Sequence, residues 1–194
     1  IMGKTYYQLE KEAVEKVEII YNGEVAQLET SMISLAVLKG LFEPVVKEKV
    51  NYVNASLIAQ NMGVVVAEGK ESSVDNYLTL LRVRIFAKNK TFSISGTVFG
   101  KGEIRIVELN GYEMDVKPNT HMLFVENEDK PGIVGQIGTL LGVSRVNIAE
   151  MQLGRTSVNQ RALMVLAVDS EVSKETLQFI GGVEGVYKVR FVQS

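Results

Sequence analysis

From His121 to Val192 the apolar pattern switches between a two-residue and a 3.6-residue period in one order: strand, helix, strand, strand, helix, strand. HMLFV, from His121, reads as a strand. Pro131 to Leu141 then carries Ile133, Val134, Ile137, Leu140 and Leu141 on one helical face, with Gly142 as its expected C-cap. VNIAEMQLG and RALMVLAVD form a strand pair around a turn. Ser173 opens a second helix, and VYKVRFV closes the chain. A β-α-β-β-α-β order in so short a segment is the split βαβ, or ferredoxin-like, motif.

The preceding segment is patterned differently. VEKVEIIY (Val14 to Tyr21) alternates Val17 and Ile19 with charged residues, as a strand does, and Asn22-Gly23 ends it. A helix is predicted from Thr30 or Ser31, with Ile33, Leu35, Val37, Leu38, Leu41 and Phe42 as its apolar set. Asn54 is the expected cap of a second helix, ASLIAQNMG, which Gly63 stops. The strands VVVAE, YLTLLRVRIFA, KTFSISGTVF, EIRIVEL and YEMDV follow, with turns at Asn89 and Asn110-Gly111. The fold class is therefore α+β: helices first, then an antiparallel meander. The polar break Lys117-Pro118-Asn119-Thr120 divides residues 1–117 from a second domain at 121–194.

Composition removes several classes of function. The 194 residues suffice for two small domains, and no apolar run approaches a bilayer span, so a soluble protein is expected. No signal peptide is read at Ile1-Met2-Gly3, and the absence of cysteine fits a cytoplasmic location and excludes thiolate chemistry. With 21 basic and 23 acidic side chains the net charge is -2, which is no footprint for nucleic acid or a membrane surface. His121 is the single histidine, so metal sites built on histidine pairs are excluded; a structural or surface role is expected for it. Met151 and Met164 read as core or interface packing.

ENEDKPGIVGQIG (Glu126 to Gly138) carries the most chemistry. Its glycines are spaced G-x-x-G-x-x-G, not G-x-G-x-x-G, and no Gly-Lys-Ser/Thr follows, so the nucleotide reading is rejected. A helix start still offers unpaired N–H groups and a positive dipole end for a carboxylate. Pro131 is expected in the first turn, and Gly132 lets a ligand approach. Asp129 would repel a bare anion but suits an ammonium, and Asn127 and Asn147 add neutral donors and acceptors. Together these describe a site for a free amino acid. Equally open is that Gly135 and Gly138 only permit close packing of the helix and Asp129 only caps it.

The segment from His121 to Val192, above all NEDKPGIVGQIGTLLGVSRVNIAEMQLGR, resembles the ACT domain, an amino-acid-sensing module. The first half resembles the intervening, or allosteric substrate-binding, domain of long-form D-3-phosphoglycerate dehydrogenases, on VEKVEIIYNGEVA, AVLKGLFEPVV, VNYVNASLIAQNMGV and ISGTVFGKGEIRIVELNGYEMDV. The resemblance implies the C-terminal regulatory part of such an enzyme of serine biosynthesis. It implies L-serine bound between two ACT domains of a homodimer or higher homo-oligomer, with contacts mapping to Asn127, Asp129 and Asn147 and to backbone N–H groups near Ile133, Val134 and Ile148. It further implies a second, anionic site for a phosphorylated effector or substrate at Arg105 and Lys117, with Lys101 nearby; solvated surface charge is the alternative there. A further basic position of that site is Ala167 here, which leaves the set incomplete, and Arg155 is a candidate replacement.

The resembled enzymes hold NAD and their catalytic residues in preceding domains that have no counterpart in these residues. This segment is thus expected to lack a catalytic site and a cofactor of its own. Two other readings fit the residues: the small subunit of an L-serine dehydratase, or a ligand-free oligomerisation module built on sheet edges.

Overall fold

Val17, Ile19 and Tyr21 recur at every second position of β1 (Val14–Gly23), and all three are fully buried. The other face of the strand is charged, with Lys16 and Glu18 ion-paired on it at 2.6 Å. The computed structural model describes residues 2–10, 12–72, 76–155 and 161–193, and the chain divides into two units, Ile1–Asn110 and Gly111–Ser194.

In the first unit α1 (Met2–Leu9) precedes β1, and α2 (Ser31–Phe42) and α3 (Ala55–Asn61) follow it. β2 (Val65–Glu71), β3 (Thr79–Ala87), β4 (Lys90–Phe99) and β5 (Glu103–Leu109) complete the unit, in the sheet order β2-β1-β3-β4-β5. β3, β4 and β5 form the expected antiparallel meander, but β2 runs parallel to β1, with Lys16 opposite Val65. The reason lies in the connection. A parallel neighbour needs a long crossover, and α2 with α3 carries the chain back to the start of β1.

α2 buries Ser34, Val37, Leu38, Leu41 and Phe42 against the sheet's apolar face. Thr30 and Asn54 stand at the helix starts as expected, yet neither side chain caps its helix. The Asn54 side-chain oxygen instead accepts the Asn51 N–H (2.7 Å), and the Thr30 carbonyl accepts the Tyr21 hydroxyl (3.3 Å). α1 was not foreseen in the sequence. It buries Tyr6 and Leu9, and the Tyr6 ring meets Phe92 of β4 edge-on at 5.4 Å.

Asn110 and Gly111 take φ of 50° and 83°, the left-handed pair that a tight hairpin turn requires. β6 (Tyr112–Val116) then opens the second unit and packs against β8 (Ile148–Arg155). At Gly154 of β8 a Cβ would meet the Glu113 carbonyl at 2.9 Å and Tyr112 Cβ at 3.1 Å, so this approach needs glycine. The contacts divide the chain ahead of β6, whereas the polar break Lys117–Thr120 follows it.

β7 (His121–Glu128), α4 (Ile133–Val143), β8, β9 (Arg161–Val168), α5 (Lys174–Gly181) and β10 (Val186–Gln193) follow in β-α-β-β-α-β order. Their strands lie β10-β7-β9-β8, each antiparallel to its neighbour. Leu123 and Val125 of β7 and Met164, Leu166 and Val168 of β9 form one core with Ile133, Ile137 and Leu141, which recur every fourth residue along α4. Met164 is fully buried there, while Met151 on β8 is 41% exposed. His121 stacks on Phe191 (centroids 5.8 Å apart), a structural contact.

The ends of α4 differ from expectation. Gly142 lies inside the helix, and the left-handed residue beyond it is Arg145 (φ 58°), which lets the Val146 N–H reach the Leu141 carbonyl at 2.9 Å. Pro131 precedes the helix rather than sitting in its first turn, because Gly132 takes φ 96° and so turns the chain before helical geometry begins.

Candidate functional site

The turn between β7 and α4 frames a cavity of about 410 Å³ in the second unit, lined by Asn127, Asp129, Pro131, Gly132, Val134, Leu153 and Arg155, with Lys130 at its side. β7 ends at Glu128, whose N–H donates to the Gly185 carbonyl (2.7 Å), so the strand end is held and the next residues are free to turn. Gly132 then aims the start of α4. The first helical bond runs from the Gln136 N–H to the Gly132 carbonyl (3.0 Å), so the N–H groups of Ile133 and Val134 precede any intrahelical acceptor. No side chain caps this helix, and Asp129 therefore has another role than the cap.

That role is electrostatic. Asp129 Oδ2 pairs with Arg155 Nε at 3.2 Å across the cavity mouth. Lys130 is engaged elsewhere, bridging Glu128 (3.0 Å) and Glu184 (3.4 Å), and the hydrogen bond it donates to the Glu128 carboxylate raises its pKa above the ordinary lysine value. Asn127 is 3% exposed; its amide N–H donates to the Glu128 carbonyl (2.6 Å), while its Oδ1 is buried without a hydrogen-bond partner. An orphaned buried acceptor beside a cavity is the kind of group a bound donor would satisfy. A Cβ at Gly135 or Gly138 would meet nothing within 4 Å, so packing inside the chain does not explain these glycines.

Ile133 is buried in the core at 1% exposure, which leaves only its backbone N–H for a ligand, and Val134 is 39% exposed. Asn147 lies elsewhere. It precedes β8, and its Nδ2 donates to Asp169 Oδ2 (2.7 Å). Along β9, Ala162 is opposite both Asn127 and Arg155, whereas Val168 is opposite Ile148. Six residues of strand separate those rungs, roughly 20 Å at the usual rise. One chain therefore brings Asn127, Asp129 and Val134 together but leaves Asn147 and Ile148 at the far end of the sheet. Arg155 is the neighbour that sequence reading did not assign here. The charge sequence around Asp129 held no sign of it, since the two meet only through the sheet register.

Among the proposed anion-binding residues, Arg105 is partly buried and pairs with Glu103 at 2.9 Å. Lys101 is exposed between Gly100 and Gly102 in the turn before β5, and Lys117 is exposed in the other unit. Ala167 is buried in β9 and offers no charge. Among the described residues, no group of His, Asp and Glu could hold a metal ion, and no helix is long and apolar enough to cross a membrane.

Residues 1–110 match the family described as "D-3-phosphoglycerate dehydrogenase intervening domain". Over nearly its whole length, the chain is 33% identical across 191 residues to D-3-phosphoglycerate dehydrogenase of Bacillus subtilis, covering 98% of this chain and 36% of the relative. It is 34% identical to the Archaeoglobus fulgidus protein of that name, covering 93% of this chain and 34% of the relative. The Synechocystis protein of that name is 36% identical, over 95% of this chain and 34% of its own length. The chain thus spans about a third of the length of these relatives, and both of its units fall within the aligned part. On the match of its first unit, the chain belongs to the D-3-phosphoglycerate dehydrogenase intervening-domain family.

Proposed function

We propose that this chain is the C-terminal regulatory part of a cytoplasmic D-3-phosphoglycerate dehydrogenase of serine biosynthesis, and that its second unit is an ACT domain that binds free L-serine. The observation that carries the reading is the cavity at the β7–α4 turn. It sets a carboxylate (Asp129), an orphaned amide oxygen (Asn127) and unpaired N–H groups of a helix start around one space. An ammonium fits the first two, and a carboxylate fits the N–H groups. The alignment of relatives named D-3-phosphoglycerate dehydrogenase across nearly the whole chain supports the parent enzyme. NAD and the oxidation belong to domains of that parent other than these two units.

The same reading gives Asn147 and Ile148 their place. β8 is an edge strand with exposed side chains. When two copies pair along β8 in antiparallel fashion, the strand direction reverses, and Asn147 of the partner subunit comes to the Arg155 end of this chain. Each site is then shared between two chains, and L-serine stabilises one arrangement of the oligomer over another, as feedback control requires. Lys101 and Arg105 of the first unit are the residues for the phosphorylated effector of the parent enzyme, with Arg105 exchanging Glu103 for that anion.

Calorimetric titration of L-serine tests the central assignment. Asp129→Ala is expected to weaken binding by about 1.5–3 kcal/mol, the range for a hydrogen bond to a charged group. Unchanged affinity would remove Asp129 from the site, and no heat from the unaltered chain would remove the site itself.

A further inference from the structure

We propose that Arg155 binds the ligand carboxylate together with the N–H groups of the helix start, and that its pair with Asp129 is exchanged for the two charges of an incoming amino acid. The inference rests on the amino-acid reading above and adds a residue, a ligand requirement and a way of opening. Three charged side chains border the cavity, and Lys130 is bound to two carboxylates. Arg155 is the remaining cation. It meets Asp129 through Nε, at 3.2 Å. Its side chain is 64% exposed and that of Asp129 30%, so the pair is weakly held and the guanidinium can swing.

The geometry gives the pair a purpose. An empty site with Asp129 alone would hold an uncompensated carboxylate beside the buried Asn127 oxygen, two acceptors with no donor. Arg155 supplies the missing positive charge. When an α-amino acid enters, its ammonium takes Asp129 and the Asn127 oxygen. The guanidinium, released, offers its planar fork to the carboxylate, which it matches with two parallel bonds. One ion pair becomes two and the net charge of the cavity is unchanged. A ligand with only one of the two charges cannot complete the exchange: an amine leaves Arg155 without a partner, and a hydroxy acid leaves Asp129 so. The proposed specificity is therefore for zwitterions, read by charge rather than by side chain.

The test compares L-serine with L-serinamide, which keeps the ammonium and lacks the carboxylate, by calorimetry on the whole chain and on Arg155→Gln and Arg155→Lys. The unaltered chain is expected to prefer L-serine at least tenfold, consistent with a charge-assisted bond. Arg155→Gln is expected to lose that preference through weaker L-serine binding, and Arg155→Lys to retain part of it. Thermal melts establish that both variants fold, and Arg155→Lys keeps the test open if Arg155→Gln does not. Tighter L-serine binding by Arg155→Gln would overturn the proposal, since Arg155 would then only compete for Asp129. An unchanged preference in Arg155→Gln would overturn it as well, with the amino-acid site left standing. Failure of the unaltered chain to bind either compound would instead bring down the underlying reading and this proposal with it.

Discussion

Tyr6 shows how a single side chain ties an unforeseen element to the fold. Its ring is buried against Phe92 and its hydroxyl donates to the Glu12 carbonyl at 3.1 Å. Burial first, then Tyr7, Glu12 and Glu10, pushes its pKa up to about 12 from the ordinary 10.0. The folded state thus holds this proton more tightly than the unfolded chain does. Its contribution is fully present below pH 10 and is lost as pH climbs from 10 towards 12. Tyr7 and Tyr21 shift in the same direction, also chiefly through burial. Denaturant titrations across that window should show stability falling with pH. Tyr6→Phe should lose about 1 kcal/mol at neutral pH with its hydrogen bond and fall less steeply in base. A Tyr6→Phe profile parallel to that of the unaltered chain would refute the titration argument. At the site, Asp129 was legible as a charge next to a helix start, but its partner Arg155 was not. Twenty-six positions separate them, and they meet because the β7–β9–β8 register sets Asn127 and Arg155 opposite the same residue, Ala162, two positions before Asp129.

At the scale of elements, the strands and helices with strong periodicity were legible and their connections less so. Val17, Ile19 and Tyr21 announce β1, and Ile133, Ile137 and Leu141 announce α4. That β2 lies parallel to β1 depends on where the α2–α3 crossover deposits the chain, which no local pattern encodes. α1 was missed because its eight residues span only about two turns, too few for a helical period to repeat. Two glycine substitutions separate fold from function. Gly154→Val should force β6 from β8 and lower stability by about 1–3 kcal/mol, read as a lower melting temperature. Gly138→Ala, in open space on α4, should stabilise the chain by about 0.5–1 kcal/mol. A destabilised Gly138→Ala would show that something packs there after all.

For the whole molecule, the separation of Asn147 from Asp129 within one chain is the decisive fact. If both residues serve one ligand, they do so from different copies, and the regulatory unit is at least a dimer with two equivalent shared sites. Mixing variants tests this directly. Asp129→Ala and Asn147→Ala chains, each weak for L-serine alone, are unfolded together, refolded as a mixture and titrated calorimetrically. Random pairing should restore roughly a quarter of the sites to full affinity, because each mixed dimer carries one undamaged site beside one doubly altered site. A mixture that binds no better than its two components would contradict a site shared between chains.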